Sequence, residues 1–297
     1  MSGFRSGFAC FVGRPNAGKS TLTNALVGTK VAIASSKPQT TRHAIRGIVH
    51  RPDAQLVLVD TPGLHKPKTL LGERLNDVVR GTLTEVDVIA FCVPADQPVG
   101  RGDEYIAREL AELDTPVVAI VTKGDLVSDK QRMGEQLLAL GRLGDWAEVV
   151  PVSAVTRWQV DLLADLLVRR LPEGPPLYPE GELTDEPEAT MVAELVREAA
   201  LEGVRDELPH SLAVLVEEMV PREGRDDLLD VSAVLFVERD SQKAIVIGKG
   251  GERLRDVGTT ARRQIEALLG TRVYLDLRVK VAKDWQRDPK QLRRLGF

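Results

Sequence analysis

The chain has 297 residues, a hydrophobic fraction of 43% and a formal net charge of −4, enough apolar sequence for about two globular domains. Its only cysteines, Cys10 and Cys92, lie in apolar strand-like runs, so the sequence excludes a disulfide framework and a cysteine-based metal site. It shows no secretion-signal pattern and no apolar run of membrane-spanning length. We therefore expect a cytoplasmic protein, with peripheral attachment at the inner face of the cell membrane left open. Without heptads or a long apolar face, we expect a monomer.

The first candidate site is Gly13–Ser20, which reads GRPNAGKS and matches the phosphate-loop pattern G-x-x-x-x-G-K-[ST]. An apolar, strand-like run, Phe8–Val12, precedes it, and Thr21–Val27 has helical character. The motif requires this context, because its glycines turn backbone N–H groups toward a phosphate and the helix N-terminus adds positive charge. Lys19 is predicted to reach the β- and γ-phosphates and Ser20 to ligate Mg²⁺.

A second segment at the end of a buried strand carries a carboxylate. The run Leu56–Val59 is continuously apolar, as in a parallel strand, and ends in Asp60–Gly63, which reads DTPG. A carboxylate at this position can hold Mg²⁺ through its water shell. Gly63 would let the backbone approach a γ-phosphate.

A third segment selects the base. The apolar run Val117–Val121 ends in Thr122–Asp125, which reads TKGD. Asp125 can accept two hydrogen bonds from guanine N1–H and its 2-amino group, a donor pair that adenine lacks. Lys123 would pack its stem over the base, and a further short strand leads into Ser153–Val155, where a backbone N–H could meet guanine O6. The sequence therefore predicts GTP and GDP as ligands.

In this order and spacing, the segments resemble the translation-factor-like GTPases and, within them, the Era family. Lys37–His43 (KPQTTRH) is similar to the first switch of that family, and Asp60–His65 (DTPGLH) is similar to the second. The resemblance covers nearly the whole chain. Thr122 departs from the family's usual asparagine, but its hydroxyl can still brace the loop.

The expected site residues follow from the motifs and the resemblance. Thr41 is preferred over Thr40 as the switch residue that completes the Mg²⁺ shell. The predicted catalytic residues are Lys19, Asn16, Thr41 and Gly63, and the metal ligands are Ser20, Thr41 and Asp60. The predicted nucleotide-binding residues are Gly13, Arg14, Pro15, Asn16, Ala17, Gly18, Lys19, Ser20, Thr21, Asp60, Thr61, Pro62, Gly63, Thr122, Lys123, Asp125, Ser153, Ala154 and Val155.

Leu64 stands where Ras-type enzymes have a water-orienting glutamine. A leucine cannot orient water by hydrogen bonding, so we expect slow intrinsic hydrolysis. In related GTPases with an apolar residue there, an asparagine at the position of Asn16 helps bind K⁺, which supplies charge in place of an arginine finger. The resemblance implies K⁺ stimulation here; the alternative is that Asn16 only stabilises the loop turn.

The second half of the chain predicts a smaller domain. Residues 1–171 are assigned to the GTPase domain, the Pro- and Gly-rich residues 172–186 to a semi-extended linker, 187–282 to the second domain and 283–297 to a helical tail. The second domain reads helix (189–208), strand (211–220), strand (229–237), helix, helix, strand (272–281). This is the order of a type II KH domain. The fold class is therefore α/β: a P-loop, Ras-like GTPase domain with a mostly parallel sheet, then an α+β type II KH domain.

A G-x-x-G loop, Gly248–Gly251, falls between the two helices of that domain. Its glycines would let an RNA backbone pass close, and about four bases would occupy an adjacent apolar groove. Ser241–Phe297 contains 14 Lys and Arg against 6 Asp and Glu, so the rest of the chain carries −12. Such a basic segment points to nucleic acid. The predicted RNA-binding residues are Ile247, Gly248, Lys249, Gly250, Gly251 and Arg253.

These expectations combine into a GTP-dependent switch that binds RNA. The Era resemblance implies the 3′ end of 16S ribosomal RNA as ligand and assembly of the small (30S) ribosomal subunit as role. Arg42 and His43, beside the first switch, could couple nucleotide state to the KH domain; a solvated role is the alternative. The alternative function is a switch for a protein partner, with the KH-like domain as docking module. Trp285 in the tail is expected to pack against the domain rather than stack on a base.

Overall fold

The computed structural model describes residues 3–34, 40–67, 69–202 and 211–297. Most of residues 3–185 form one unit, and most of the second unit is residues 186–297. Two predicted features lie partly outside the described residues. These are Lys37, Pro38 and Gln39 of the first switch and the final part of the helix predicted to reach Leu208.

The first unit is built on a six-stranded sheet whose strand order within the described residues is β2-β3-β1-β4-β5-β6. The strands are β1 (Arg5–Gly13), β2 (Ile45–His50), β3 (Ala54–Asp60), β4 (Val88–Pro94), β5 (Val117–Thr122) and β6 (Glu148–Pro151). β2 runs antiparallel to β3, and the other neighbours are parallel. All residues of β3, β4 and β5 are buried, which is why these strands read as continuous apolar runs.

Helices cover both faces of this sheet. They are α1 (Lys19–Val27), α2 (Leu70–Glu85), α3 (Arg101–Leu110), α4 (Lys130–Gly141) and α5 (Val160–Val168). Successive residues of β1 alternate between the two layers: Phe11 belongs to the core with α1 and α5, and Cys10 and Val12 belong to the core with α2, α3 and α4. This is the predicted α/β fold with a mostly parallel sheet, and the structure shows that helices cover both faces. It places the carboxyl ends of β1, β3, β4 and β5 along one edge.

Residues 172–185, which we call the strap, run from the start of β1, past β3, to β2 of the first unit. The carbonyl of Leu183 accepts a hydrogen bond from the Ile48 N–H at 2.9 Å, and the Thr184 hydroxyl donates to the Arg46 carbonyl at 2.6 Å. The buried amide of Gln55 bonds the backbone of residues 177 and 178. The prolines predicted an extended segment, and the structure adds that it is docked.

The second unit has the predicted KH order within the described residues. Its elements are α6 (Glu188–Leu201), β7 (Ala213–Arg222), β8 (Arg225–Val237), α7 (Asp240–Ile247), α8 (Glu252–Leu269) and β9 (Arg272–Val281). β8 is the central strand, antiparallel to β7 and parallel to β9. The central strand is buried by the helices on one face, where Val231, Ala233 and Leu235 lie.

A C-terminal tail closes this unit with a helical turn, Trp285–Arg287, and a short helix, α9 (Pro289–Arg294). Trp285 is fully buried, its indole N–H donates to the Ser211 carbonyl at 2.9 Å, and its ring stacks on Phe297. The packing role predicted for Trp285 is confirmed. None of the helices in the described ranges is both long and apolar enough to cross a membrane.

Candidate functional site

The phosphate loop joins β1 to α1. Gly18 has φ 87°, the left-handed conformation that lets the chain turn directly into α1 at Lys19. The side chain of Lys19 is buried, and its Nζ donates to the carbonyls of Gly13 at 3.3 Å and Arg14 at 3.2 Å. Burial lowers the pKa of Lys19, and the nearby charge of Asp60 opposes that shift. The ammonium group is thus held at the mouth of the loop, as the motif predicts.

The three predicted metal ligands meet at one point. The Ser20 hydroxyl donates to Asp60 Oδ2 at 2.6 Å and lies 2.9 Å from Thr41 Oγ1. Thr41 Oγ1 in turn donates to Asp60 Oδ2 at 3.3 Å. The contacts bring together residues from α1, the first switch and the end of β3. They place Thr41, the preferred switch threonine, in this cluster.

The carboxylate of Asp60 is the chemically unusual member of the cluster. It is fully buried, and burial raises its pKa to about 6, against the opposing effects of Lys19, Ser20 and Thr41. Its Oδ1 is buried and has no hydrogen-bond partner among the described residues. An orphaned carboxylate oxygen next to two hydroxyls is an oxygen-rich donor set of the kind that Mg²⁺ prefers.

The second switch approaches the phosphate loop closely. A Cβ added at Gly63 would lie 2.6 Å from the Pro15 nitrogen, so only glycine fits there. The Leu64 N–H donates to the Gly13 carbonyl at 3.2 Å, and the Thr61 hydroxyl donates to the Phe11 carbonyl at 2.7 Å. The Leu64 side chain is buried in the core with α2 and α3. It is therefore a core residue, which agrees with its inability to orient water.

The structure bears on two further predictions, one for Asn16 in the phosphate loop and one for Arg42 beside the first switch. Asn16 has φ 64°, a left-handed conformation that asparagine tolerates, and it is exposed. This conformation fits the turn-stabilising alternative and leaves the K⁺ prediction open. Arg42 is buried, so a solvated role is wrong for that residue.

The phosphate loop is also tied to α3 by a pair that the motifs do not predict. Arg14 Nε donates to Asp103 Oδ1 at 2.7 Å, and the Asp103 side chain is fully buried. Asp103 Oδ2 accepts a hydrogen bond from the Gly100 N–H at the start of α3. A Cβ at Gly102 would lie 2.8 Å from Arg14 Cδ, so that glycine makes room for the arginine stem. The sequence contains one indication of this arrangement, which is Gly100 followed three residues later by Asp103, a spacing typical of a helix start.

The predicted base-reading residues surround a cavity of about 230 Å³. Asp125 accepts a hydrogen bond from the Ser153 hydroxyl at 2.6 Å, and Lys123 Nζ lies 3.7 Å from Asp96 Oδ1. Leu126, which was not predicted, also lines the cavity although it is largely exposed. The cavity is lined by Gly18, Thr21, Leu22, Thr122, Lys123, Asp125, Leu126, Val152, Ala154 and Val155.

Thr122 explains how the chain manages without an asparagine at the start of the base-reading motif. Its Oγ1 donates to the Ala17 carbonyl in the phosphate loop at 2.6 Å. The bond joins the base-reading loop to the phosphate loop, and the side chain is buried. The bracing expected of this hydroxyl is therefore present.

The G-x-x-G loop of the second unit projects into solvent between α7 and α8. Lys249 and Gly250 are exposed, and Gly248, Gly250 and Gly251 have positive φ, so the turn depends on its glycines. Arg253 Nη2 donates to the carbonyls of Ala200 and Glu202, 3.3 and 2.6 Å away. Its hydrogen-bonding capacity is thus partly used within the unit, which weakens its case as an RNA contact.

An open groove of about 370 Å³ lies beside this loop, between α8 and β9. Small residues, Gly258 and Thr259, form its floor on α8, with Arg255 and Arg262 one turn away on either side. The helical spacing of these small and basic residues is visible in the sequence. The groove is lined by Gly251, Leu254, Arg255, Gly258, Thr259, Arg262, Tyr274, Leu275 and Leu277.

Comparison with known proteins gives consistent matches for both halves. A family model described as a 50S ribosome-binding GTPase matches residues 8–123, and a KH-domain model matches residues 207–286. The GTPase Era of Streptomyces coelicolor is 71% identical over 99% of this chain and 95% of its own length. The GTPase Era of Mycobacterium sp. strain JLS is 68% identical over the whole of both chains.

Two solved structures are similar over nearly the full length. Both are 37% identical with a TM-score of 0.95 and cover 99% of each chain. One is Era in complex with MgGDPNP and nucleotides 1506–1542 of 16S ribosomal RNA. The other is a variant of Aquifex aeolicus Era bound to GDP·AlF4⁻.

Proposed function

This chain belongs to the Era family of GTPases, and from that premise we propose that it is a GTP-dependent switch that binds 16S ribosomal RNA and assists assembly of the 30S subunit. The observation that carries the nucleotide part is the meeting of Ser20, Thr41 and Asp60 beside Lys19. The observation that carries the RNA part is the exposed G-x-x-G loop beside an open groove.

We assign nucleotide binding to the predicted loops. The backbone N–H groups of Gly13–Ser20 and the α1 N-terminus would bind the phosphates, with the Lys19 ammonium on the β- and γ-phosphates. Ser20, Thr41 and Asp60 would hold Mg²⁺, which neutralises charge on the phosphate oxygens when bound. The orphaned Oδ1 of Asp60 supports this assignment. Asp125 would read guanine, with Lys123 and Leu126 lining the base pocket.

Intrinsic hydrolysis is proposed to be slow, since the buried Leu64 offers no hydrogen bond to water. Hydrolysis rates in K⁺ and in Na⁺ buffers test whether an ion at Asn16 compensates. A clear loss of rate in Na⁺, absent in Asn16→Ala, would support the K⁺ role. Equal rates would leave Asn16 as a turn residue. Lys19→Ala should abolish hydrolysis in both buffers and defines the background.

RNA binding is assigned to the second unit. Gly248–Gly251 would clamp the sugar–phosphate backbone, with Lys249 on a phosphate, and the groove between α8 and β9 would receive the bases. The 16S RNA segment in the similar Era complex supports the 3′ end of this RNA as the ligand. Arg255 and Arg262 supply positive charge along the groove.

The decisive experiment is binding to the 3′-terminal segment of 16S RNA with GDP and with a non-hydrolysable GTP analogue. GTP is proposed to favour the RNA-competent state, so binding should be tighter with the analogue and lost in Lys249→Asp, with GTPase activity intact. Equal affinity in both nucleotide states would refute the coupling. No RNA binding in either state would favour the protein-partner alternative.

Two further proposals concern the oligomeric state of the protein and its association with membranes. We propose a monomer, which light scattering tests directly. Peripheral membrane association stays a prediction, and co-sedimentation with anionic vesicles tests it.

A further inference from the structure

We propose that Trp158 is a positioning residue for guanine recognition, acting through Gly124 and Ser153 on the carboxylate of Asp125. This inference rests on the proposed role of Asp125 as the group that reads guanine. Trp158 belongs to none of the motifs, and it does not line the base cavity. Its contacts are with the two loops that do.

The first contact is between the indole and the base-reading loop. A Cβ added at Gly124 would lie 2.8 Å from Trp158 Cζ3 and 3.2 Å from the Val152 carbonyl oxygen. The Gly124 N–H donates to that same carbonyl at 2.9 Å. Gly124 is therefore held between the Trp158 indole and the carbonyl of Val152, which follows β6. These contacts restrict the backbone immediately before Asp125.

The second contact is a backbone hydrogen bond that holds Ser153, whose hydroxyl bonds the carboxylate, and it does not involve the indole. The Ser153 N–H donates to the Trp158 carbonyl at 3.0 Å. The Ser153 hydroxyl accepts from the Thr156 N–H at 3.1 Å and donates to Asp125 Oδ1 at 2.6 Å. Because the Ser153 hydroxyl accepts from the Thr156 N–H, its own hydrogen is directed at Asp125. This hydrogen bond fixes the orientation of the carboxylate.

The loop around Trp158 is built to hold this position. Arg157 and Gln159 have φ values of 60° and 58°, a left-handed conformation that non-glycine residues adopt only when other contacts maintain it. Arg157 Nη1 donates to the Ala25 carbonyl at 2.8 Å, and Gln159 Nε2 donates to the Pro151 carbonyl at 3.0 Å. Both flanks of Trp158 are thus anchored.

Trp158 is also partly exposed, with 45% of its surface accessible, so it contributes little to the core. Removing the indole should therefore leave the domain folded while loosening Gly124 and Asp125. This separates a positioning role from a general packing role. Trp146 is the matched control, because its indole packs on Phe91 and donates to the Leu140 carbonyl, away from the base cavity.

The experiment measures affinities for GDP and IDP by competition with a fluorescent guanine nucleotide. IDP lacks the 2-amino group that a well-oriented Asp125 would bind. In Trp158→Ala we expect the Kd for GDP to rise about tenfold, as for loss of one aromatic contact. We expect the IDP affinity to change less, so that the GDP preference falls by about threefold or more.

The GDP-to-IDP preference of the variants and of the unmutated chain decides the outcome. Trp158→Phe should restore most of the preference, and Trp146→Ala should leave it unchanged. An unchanged GDP-to-IDP preference in Trp158→Ala overturns the proposal, even if both affinities fall. Where the alanine variant does not fold, Trp158→Leu is judged by the same preference. Equal GDP and IDP affinity in the unmutated chain would instead overturn the role of Asp125, on which the inference rests.

Discussion

At the scale of single residues, Thr41 is the switch threonine that meets the other predicted metal ligands. The Thr41 hydroxyl contacts both Ser20 and Asp60. We expect Thr41→Ala to lower Mg²⁺-dependent GTP hydrolysis by at least about tenfold, because the metal would lose one of its three proposed side-chain ligands and loss of a group that only orients such ligands already has an effect of this size. Thr40→Ala is the control and should have a smaller effect. The reverse order in steady-state rates would show that Thr40 is the metal-facing residue.

Asp60 should make the proposed Mg²⁺ binding depend on pH. Its pKa is raised to about 6 by burial, so the carboxylate becomes protonated as the pH falls through about 6. Mg²⁺-dependent nucleotide affinity should therefore drop below that pH. Without metal, the stability of the fold has the opposite pH dependence. The raised pKa of Asp60 favours the neutral carboxyl in the folded state, so this stabilising contribution is present at low pH and is lost as the pH rises through about 6.

Nucleotide titrations with and without Mg²⁺, over a range from about pH 5 to about pH 8, check this prediction. Asp60→Asn serves as the control, because an amide does not titrate. A Mg²⁺ effect that is flat across this range in the unmutated chain would contradict the prediction.

At the scale of elements, the middle of the strap is bound to the sheet by one buried amide. Gln55 Oε1 accepts from the N–H groups of Leu177 and Tyr178 at 2.6 and 2.9 Å, and its Nε2 donates to the Tyr178 carbonyl at 2.9 Å. Gln55→Ala should lower the free energy of unfolding by about 1–3 kcal/mol, because buried backbone groups lose their partners. It should also speed proteolysis within the strap.

Chemical denaturation and limited proteolysis measure these two effects. Arg46→Ala is the matched control: it removes an ion pair with Asp185 in the same region, but Arg46 is about half exposed. Its cost should stay below about 1 kcal/mol. Equal effects of the two changes would mean that the strap is held by its backbone contacts alone.

The C-terminal tail is an element whose stability depends on one side chain. Trp285 is fully buried and bonded to the Ser211 carbonyl. Trp285→Ala should cost about 3–5 kcal/mol of unfolding free energy in the second unit, as for other large-to-small core changes. Denaturation followed by circular dichroism measures this cost. The exposed Arg293→Ala is the control and should be close to neutral.

At the scale of the whole molecule, positive charge is concentrated in the C-terminal segment 241–297. Ser241–Phe297 carries an excess of 8 positive charges, and the rest of the chain carries −12. RNA affinity should therefore fall steeply with salt, while nucleotide affinity changes little. Lys249→Ala should lower the slope of log K against log salt by about one unit. An unchanged slope would remove Lys249 from the phosphate contacts.

Local patterns made much of this fold predictable. The strands β3 and β5 are buried on both faces, so their continuous apolar composition marked them as buried strands of a mostly parallel sheet. The phosphate loop is one contiguous segment, and its backbone N–H groups and glycines are the groups proposed to bind phosphate. Its function could therefore be predicted from a short stretch of sequence. The order of elements in the second unit was likewise readable, and β9 was predicted with its observed bounds.

Contacts between distant segments were not predictable in this way. Arg14 meets Asp103 across 89 positions, and Gln55 meets the strap across more than 120. Neither pair has a local signature, since each depends on how helices and loops are placed around the sheet. A groove beside the G-x-x-G loop was predicted, but its lining residues on α8 and β9 were not, for the same reason.

The sequence by itself determined the ligand class, the two domain types and the candidate loops, because these depend on short segments with local backbone requirements. Only the tertiary structure decided that Thr41 joins Ser20 and Asp60, that Leu64 is a core residue, and that Trp158 lies against Gly124. Adjacent residues in an irregular loop can face different surroundings, and a single aromatic side chain has no pattern. Their roles arise from packing between segments far apart in the chain.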